Sequence, residues 1–112
     1  MPRQYVPDRG DMIWCDFDPT LGHEQAHQRP ALVLSPAMFN EKVGLALVVP
    51  ITSTVRGHGF EVEITGRKIR GVALIQQQRT IDYRARQVKF VERASADSVR
   101  DALLRVRAIV AD

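Results

Sequence analysis

The chain of 112 residues has a single cysteine, no long apolar run, and no repeated or low-complexity segment. Cys15 alone cannot form an internal disulfide, and a lone cysteine within an apolar run is most simply a small buried hydrophobe. No apolar stretch of about 18 residues and no signal-peptide pattern is present, which argues against membrane insertion and export. We therefore expect one cytoplasmic domain, residues 1–112, with residues 1–8 as a mobile N-terminal arm.

The charged residues are unevenly distributed along the chain. The net charge is only +3, but eight of the 16 basic residues lie between Arg67 and Arg93, where only two acids occur. The N-terminal end is acidic in balance, because five acids and two bases precede residue 26. A basic half attracts a polyanion such as RNA or DNA, or an acidic protein segment, although an ordinary solvated surface has the same composition.

Short apolar runs separated by turn residues predict a mainly β protein. The predicted strands are 10–17, 31–34, 45–51, 60–64, 72–75 and 87–91. Ser35 followed by Pro36 predicts the N-cap of a helix of one or two turns, which ends near Gly44. After another cap at Ser95, apolar residues recur at helical spacing and predict an amphipathic C-terminal helix. The expected fold is a small, strongly curved antiparallel barrel of SH3-like type with these two helices packed on it.

The segment from Gly22 to Pro30 allows two incompatible interpretations. His23, Glu24 and His27 match the H-E-x-x-H pattern, in which a helix places two imidazoles and a carboxylate around a zinc-bound water. However, helix breakers close off both sides of the segment, and neither a third ligand nor a cysteine cluster is evident. The context therefore disfavours a zinc hydrolase. Taken alone, His23 and His27 fit a polar surface loop as well as they fit any functional role.

The second interpretation rests on ordered segments that cover the chain to about Arg86. They are Tyr5-Val-Pro-Asp8, Gly10-Asp11, Ile13-Trp14, Asp16-Phe-Asp-Pro-Thr20, Gly22-x-Glu24-Gln25-x-x-x-Arg29-Pro30, Val33-Leu-Ser-Pro36, Val49-Pro50 with Thr52, Phe60-Glu-Val62, Gly71-Val-Ala-Leu74, Gln77 and Arg84-Ala-Arg86. Together they resemble the MazF/PemK (also called Kid) family of toxin endoribonucleases from type II toxin–antitoxin modules.

The resemblance implies a homodimer of SH3-like barrels, of the MazF/CcdB type, that cuts single-stranded RNA at short specific sequences. It implies no metal or other cofactor, and neutralisation by an acidic, partly disordered antitoxin of the MazE type. By motif position, Arg29 and Thr52 correspond to the family's catalytic arginine and hydroxyl residue. Glu24 corresponds to an acidic residue of the same pocket.

These residue types suit RNA cleavage because the 2′-OH of the substrate can itself attack the adjacent phosphorus. The protein then has to position the strand, stabilise phosphoryl charge and move protons. We expect Arg29 to stabilise that charge with its planar fork of donors, Thr52 to donate to a non-bridging oxygen, and Glu24 to accept the proton. Taken singly, Arg29 could instead close a loop, Thr52 could cap a strand end, and Glu24 could be a solvated surface residue.

The basic half supplies candidate phosphate contacts, and glutamines could read base edges. The candidate RNA-binding residues are Gln25, Gln77, Arg79, Arg84, Arg86 and Lys89. Gln76 departs from the family, which usually has Asp at this position, so the cut sequence is expected to differ. Tyr83 is the favoured aromatic for stacking on a base, whereas Trp14 and Phe17 are expected in the core.

Two alternative functions remain open from the sequence. A CcdB-like relative would keep the fold but poison DNA gyrase, and it would need neither Arg29 nor Thr52. A catalytically silent SH3-like module would only bind nucleic acid. The presence of both residues favours the endoribonuclease.

Overall fold

The computed structural model describes residues 4–17, 28–57 and 59–111, which contain seven strands and two helices. The strands are β1 (Asp11–Asp16), β2 (Gln28–Val33), β3 (Ala46–Thr52), β4 (Glu61–Thr65), β5 (Arg70–Leu74), β6 (Arg79–Ile81) and β7 (Lys89–Arg93). The helices are α1 (Ala37–Val43) and α2 (Ala96–Val110), and a short 3-10 turn at Ile75–Gln77 follows β5.

The strands form one curled antiparallel sheet in the order β4-β5-β3-β2-β1-β7. β3 belongs to both halves of the curl, because Ala46–Val48 pair with β6 whereas Ile51 and Thr52 pair with β5. The predicted curved antiparallel barrel, with one internal and one C-terminal helix, is confirmed as a half-barrel of this kind.

Adjacent residues of the central strands enter two cores on opposite faces of the sheet. On β1, Met12 belongs to one core, here named the inner core, and Ile13 to the other, named the outer core, and both are fully buried. Ala102 of α2 packs into the inner core, whereas Tyr5 and Val6 pack against the outer one. Burial on both faces explains why β1, β2 and β3 are rich in apolar residues.

Part of the N-terminal arm is packed rather than mobile. The hydroxyl of Tyr5 donates to Asp11 Oδ2 over 2.6 Å, and Asn40 Nδ2 donates to the carbonyl oxygen of Pro7 over 2.7 Å. Asp11 is buried, and Arg93 Nη1 donates to its Oδ1 over 2.7 Å. The prediction of a mobile arm is therefore wrong for this segment, because buried polar groups of the body need these partners.

The helix caps agree with the sequence pattern at one site and not at the other. Ser95 caps α2, since its side chain accepts from the Ser98 N–H over 3.1 Å. The prediction for α1 is wrong: its N-cap is Pro36, and the Ser35 hydroxyl instead donates to Oδ1 of the buried Asn40 over 2.6 Å. Within the described part of the chain, no helix is long and apolar enough to cross a membrane.

The carboxylate of Glu92 connects the two edges of the curled sheet. Glu92 lies on β7, at one edge, and accepts the N–H groups of Arg67, Lys68 and Ile69 over 3.0, 2.8 and 2.9 Å. These three residues belong to the turn that joins β4 to β5, at the opposite edge. Hydrogen bonds to one side chain therefore link the first and last strands of the sheet order.

Candidate active site

The two predicted catalytic residues that the structure describes, Arg29 and Thr52, line one cavity of about 340 Å³. β2 pairs with β3 through Ala31 opposite Pro50, and continuing this register by two residues sets Arg29 opposite Thr52. Directly opposed residues carry their side chains on the same face of a sheet. The described residues lining the cavity are Trp14, Arg29, Pro30, Ile51, Thr52, Ser53, Lys68, Ile69 and Arg70.

Thr52 is held at the end of β3 by its neighbours. It pairs with Val72 of β5, and its Oγ1 accepts the N–H of Thr54 over 3.2 Å. A hydroxyl that accepts one hydrogen bond can still donate its own hydrogen. Thr52 can therefore offer a fixed donor to an oxygen atom of a molecule in the cavity.

Arg29 lies on an exposed position of β2, and its partner on β1 is Cys15. The prediction that Cys15 is a small buried hydrophobe is confirmed, since its side chain is fully buried. Burial raises the pKa of the Cys15 thiol to about 11, against the opposing effect of the nearby Arg86 and Arg79 guanidiniums. Arg86 Nη1 also donates to the carbonyl oxygen of Asp16 over 3.0 Å. Arg79 and Arg86 therefore lie near the end of the strand pair that carries Arg29.

Two other predicted RNA-binding residues lie close to β1 or to the residue that follows it, and a third does not line the cavity. The Arg79 guanidinium lies 5.3 Å from the centroid of the Phe17 ring. Lys89 is exposed on β7 and pairs with Trp14, which lines the cavity. Gln77 is exposed in the 3-10 turn and does not line it. Lys89 therefore lies beside a residue of the cavity, whereas Arg79 contacts Phe17, which does not line the cavity.

The aromatic residues are placed differently from the prediction. Tyr83 is 1% exposed, and its hydroxyl donates to the carbonyl oxygen of Asn40, so this ring cannot stack on a base without leaving the core. The guanidinium carbon of Arg84 lies 5.6 Å from the centroid of the Tyr83 ring. Trp14 is 39% exposed instead of buried, because at this point of β1 it lines the cavity and is not covered by the core. Phe17 packs against the outer core, as predicted.

Several predictions fall outside the described residues. They concern Glu24, Gln25 and the H-E-x-x-H segment with His23 and His27. Within residues 4–17, 28–57 and 59–111, no three side chains of His, Cys, Asp or Glu converge as metal ligands would. The roles of Glu24 and Gln25 stay predictions.

The sequence interpretation missed Lys68 and Arg70. Both side chains are exposed and line the cavity with Arg29 and Thr52. The only signal in the sequence was their place in the basic half of the chain, since neither belongs to a matched motif.

Comparison with known proteins agrees with this geometry. Residues 8–110 match the family model described as "PemK-like, MazF-like toxin of type II toxin-antitoxin system". The endoribonuclease toxin MazF of Escherichia coli K12 is 55% identical over 86 residues, which are 77% of this chain and 78% of the relative. A crystal structure of MazF from Deinococcus radiodurans has a TM-score of 0.86 and 37% identity, covering 97% of this chain and 100% of the other.

A second structure from Deinococcus radiodurans, of MazE-MazF, has a TM-score of 0.85 and 33% identity. It covers 96% of this chain and 98% of that one. The likeness thus extends over the whole curled sheet and both helices. The chain belongs to the PemK-like, MazF-like toxin family of type II toxin–antitoxin systems.

Proposed function

We propose that this protein is a sequence-specific endoribonuclease toxin that cleaves single-stranded RNA, including mRNA, without a metal ion. The observation that supports the proposal is the shared cavity of Arg29 and Thr52 in a member of a family whose relatives are named endoribonucleases. Cleavage of mRNA would inhibit translation and growth.

The reaction uses the substrate's own nucleophile. The 2′-OH attacks the adjacent phosphorus, and the bond to the 5′-oxygen of the next nucleotide breaks, which leaves a 2′,3′-cyclic phosphate and a 5′-OH. Arg29 stabilises the charge on the phosphoryl oxygens, because a guanidinium stays protonated and presents several N–H donors in one plane. Thr52 donates to a non-bridging oxygen, Glu24 accepts the 2′-OH proton, and the leaving 5′-oxygen takes up a proton from water.

The partners follow from the family. The MazE-MazF structure from Deinococcus radiodurans supports an antitoxin of the MazE type as a ligand of this chain. An acidic antitoxin segment would be attracted to the same basic surface as RNA. We further propose that the toxin is a single domain, forms a homodimer and acts in the cytoplasm, where mRNA is present.

Incubation of the purified protein with a long single-stranded RNA in excess EDTA tests the activity. We expect cleavage at one short sequence, and end sequencing of the fragments gives both the motif and the end chemistry. Arg29→Ala and Thr52→Ala should each lower the cleavage rate by about 10²- to 10³-fold, the usual effect of removing a charge-stabilising donor. Thr52→Ser, which keeps the hydroxyl, and Arg107→Ala, on the exposed face of α2, are the matched controls.

Absence of cleavage in EDTA would contradict the proposal and make DNA gyrase inhibition the next assay. The proton roles are tested separately by the pH dependence of the rate. We expect Glu24→Gln to remove the acidic limb of the profile and Arg29→Ala to lower the rate at every pH. The opposite result would reverse the two roles.

A further inference from the structure

The turn between β4 and β5 brings additional positive charge to the cavity. Lys68 and Arg70 line it beside Arg29, so three cations border one space of about 340 Å³. Among the described residues that line this space, none carries a carboxylate. Such a surface fits a ligand with several negative charges better than a ligand with one.

The turn has a fixed conformation because its backbone groups have partners. Glu92 accepts the N–H groups of Lys68 and Ile69 over 2.8 and 2.9 Å, and the Gly66 N–H donates to the Ile69 carbonyl oxygen over 3.0 Å. Arg70 Nε donates to the Gly66 carbonyl oxygen over 3.0 Å. The cations are thus carried by a preformed element, which lowers the entropy lost when a ligand binds.

Glycine at position 66 allows this close packing. A Cβ atom there would lie 2.5 Å from Glu92 Oε2 and 2.9 Å from the Ile69 carbonyl oxygen. The carboxylate and the turn are therefore in direct contact, and β7 determines where the turn lies. Glu92 itself does not line the cavity, so it acts on the cavity only through the turn.

An RNA strand that is cut internally carries a phosphate on each side of the scissile phosphate. Arginine and lysine are the usual partners of backbone phosphates, which position a nucleic acid without reading its sequence. We propose that Lys68 and Arg70 bind the phosphates flanking the scissile phosphodiester, and that Glu92 is a positioning residue that holds the turn carrying them. The proposal rests on the proposed ribonuclease function.

Binding of an uncleavable RNA tests the two cations. The probe is a short RNA that contains the cleaved sequence with a 2′-deoxy nucleotide at the attacking position, and its Kd is measured at several salt concentrations. Lys68→Gln and Arg70→Gln should each raise the Kd roughly fivefold and lower the salt slope by about 0.7, the value for one phosphate contact on a single strand. Lys42→Gln, which removes an exposed lysine of α1, should leave the slope unchanged.

A neutral methylphosphonate in place of each flanking phosphate locates the contact. At the phosphate that Lys68 binds, the neutral linkage should weaken RNA binding by the wild type. It should weaken RNA binding by Lys68→Gln little further, since the effects of contacting groups are not additive. In single-turnover cleavage, Lys68→Gln should lower the rate at subsaturating RNA more than the rate at saturating RNA, because the substitution acts mainly on binding.

The role of Glu92 is tested by coupling. Glu92→Gln should raise the Kd in the wild type and have little effect in the Lys68→Gln, Arg70→Gln background, with the larger loss of cleavage rate again at subsaturating RNA. An equal loss in both backgrounds would mean a general structural role and would overturn the assignment of Glu92.

Failure of the inference is distinguishable from failure of the function. If the wild type cleaves RNA while Lys68→Gln and Arg70→Gln keep its Kd and salt slope, only the inference is overturned. If the wild type neither cleaves nor binds the RNA, both are overturned.

Discussion

Gly71 lies beside Thr52 in the pair formed by β3 and β5. Its backbone has a φ of 145°, and a Cβ atom would overlap the Thr52 carbonyl oxygen and lie 3.2 Å from Ser53 Cα. We expect Gly71→Ala to lower the free energy of unfolding by more than about 1 kcal/mol, because alanine fits this region poorly. It should also lower the cleavage rate, because the strand that carries Thr52 has to shift.

Urea denaturation and the rate of RNA cleavage measure these two effects. Gly59→Ala is the control, since nothing lies within 4 Å of the Cβ atom added there. Equal stability and activity of the two variants would show that β3 can move without cost at Thr52.

At the level of elements, α2 depends on its first turn. The Ser95 side chain accepts the Ser98 N–H, which otherwise has no partner within the helix. We expect Ser95→Ala to lower the free energy of unfolding by about 1 kcal/mol, the usual cost of losing a cap. Ser95→Asp keeps an acceptor and should stay close to the wild type in urea denaturation; a loss as large as that of alanine would contradict the capping role.

Periodicity identified the elements that have strong patterns of their own. The alternation of Glu61–Thr65 and the apolar stripe of α2 reflect one buried face each, and both elements were predicted. β6 was missed because Arg79–Ile81 holds a single buried residue and pairs with β3 only through the tertiary fold. The Ser35 cap was misassigned because the pattern does not reveal that its hydroxyl bonds to Asn40.

The candidate site was likewise predictable only in part. Arg29 and Thr52 were found through matched motifs, and their strands are neighbours in the sheet. The approach of Lys68 and Arg70 depends on the curl of the sheet and on Glu92 at its opposite edge, which no local pattern encodes. The exposure of Trp14 has the same origin, since it depends on which residues the folded sheet places over the indole.

For the molecule as a whole, Glu92 makes stability depend on pH. The N–H groups of Lys68 and Ile69 hold the pKa of Glu92 below its usual value. A carboxylate with a lowered pKa in the folded state stabilises the protein fully above its unfolded pKa of about 4.3, and this contribution is lost as the pH falls through the folded value. We therefore expect Glu92→Gln to be less stable than the wild type at pH 7, with a difference that shrinks below about pH 4.

Urea denaturation of both proteins across this range measures the difference. Glu41→Gln, which changes an exposed carboxylate of α1, should follow the wild type throughout. A gap between Glu92→Gln and the wild type that does not shrink as the pH falls through the acid range would falsify the electrostatic origin and leave only packing.

Trp14 is the only tryptophan of the chain, and its indole borders the cavity while more than a third of it stays open to solvent. The tryptophan fluorescence of the protein therefore reports on one position, next to the residues proposed to bind the substrate. An RNA base that settles against the indole would change its emission, so the unlabelled protein carries its own optical reporter. The binding of the uncleavable RNA to the wild type and to the variants of Lys68, Arg70 and Glu92 can therefore be measured by tryptophan fluorescence.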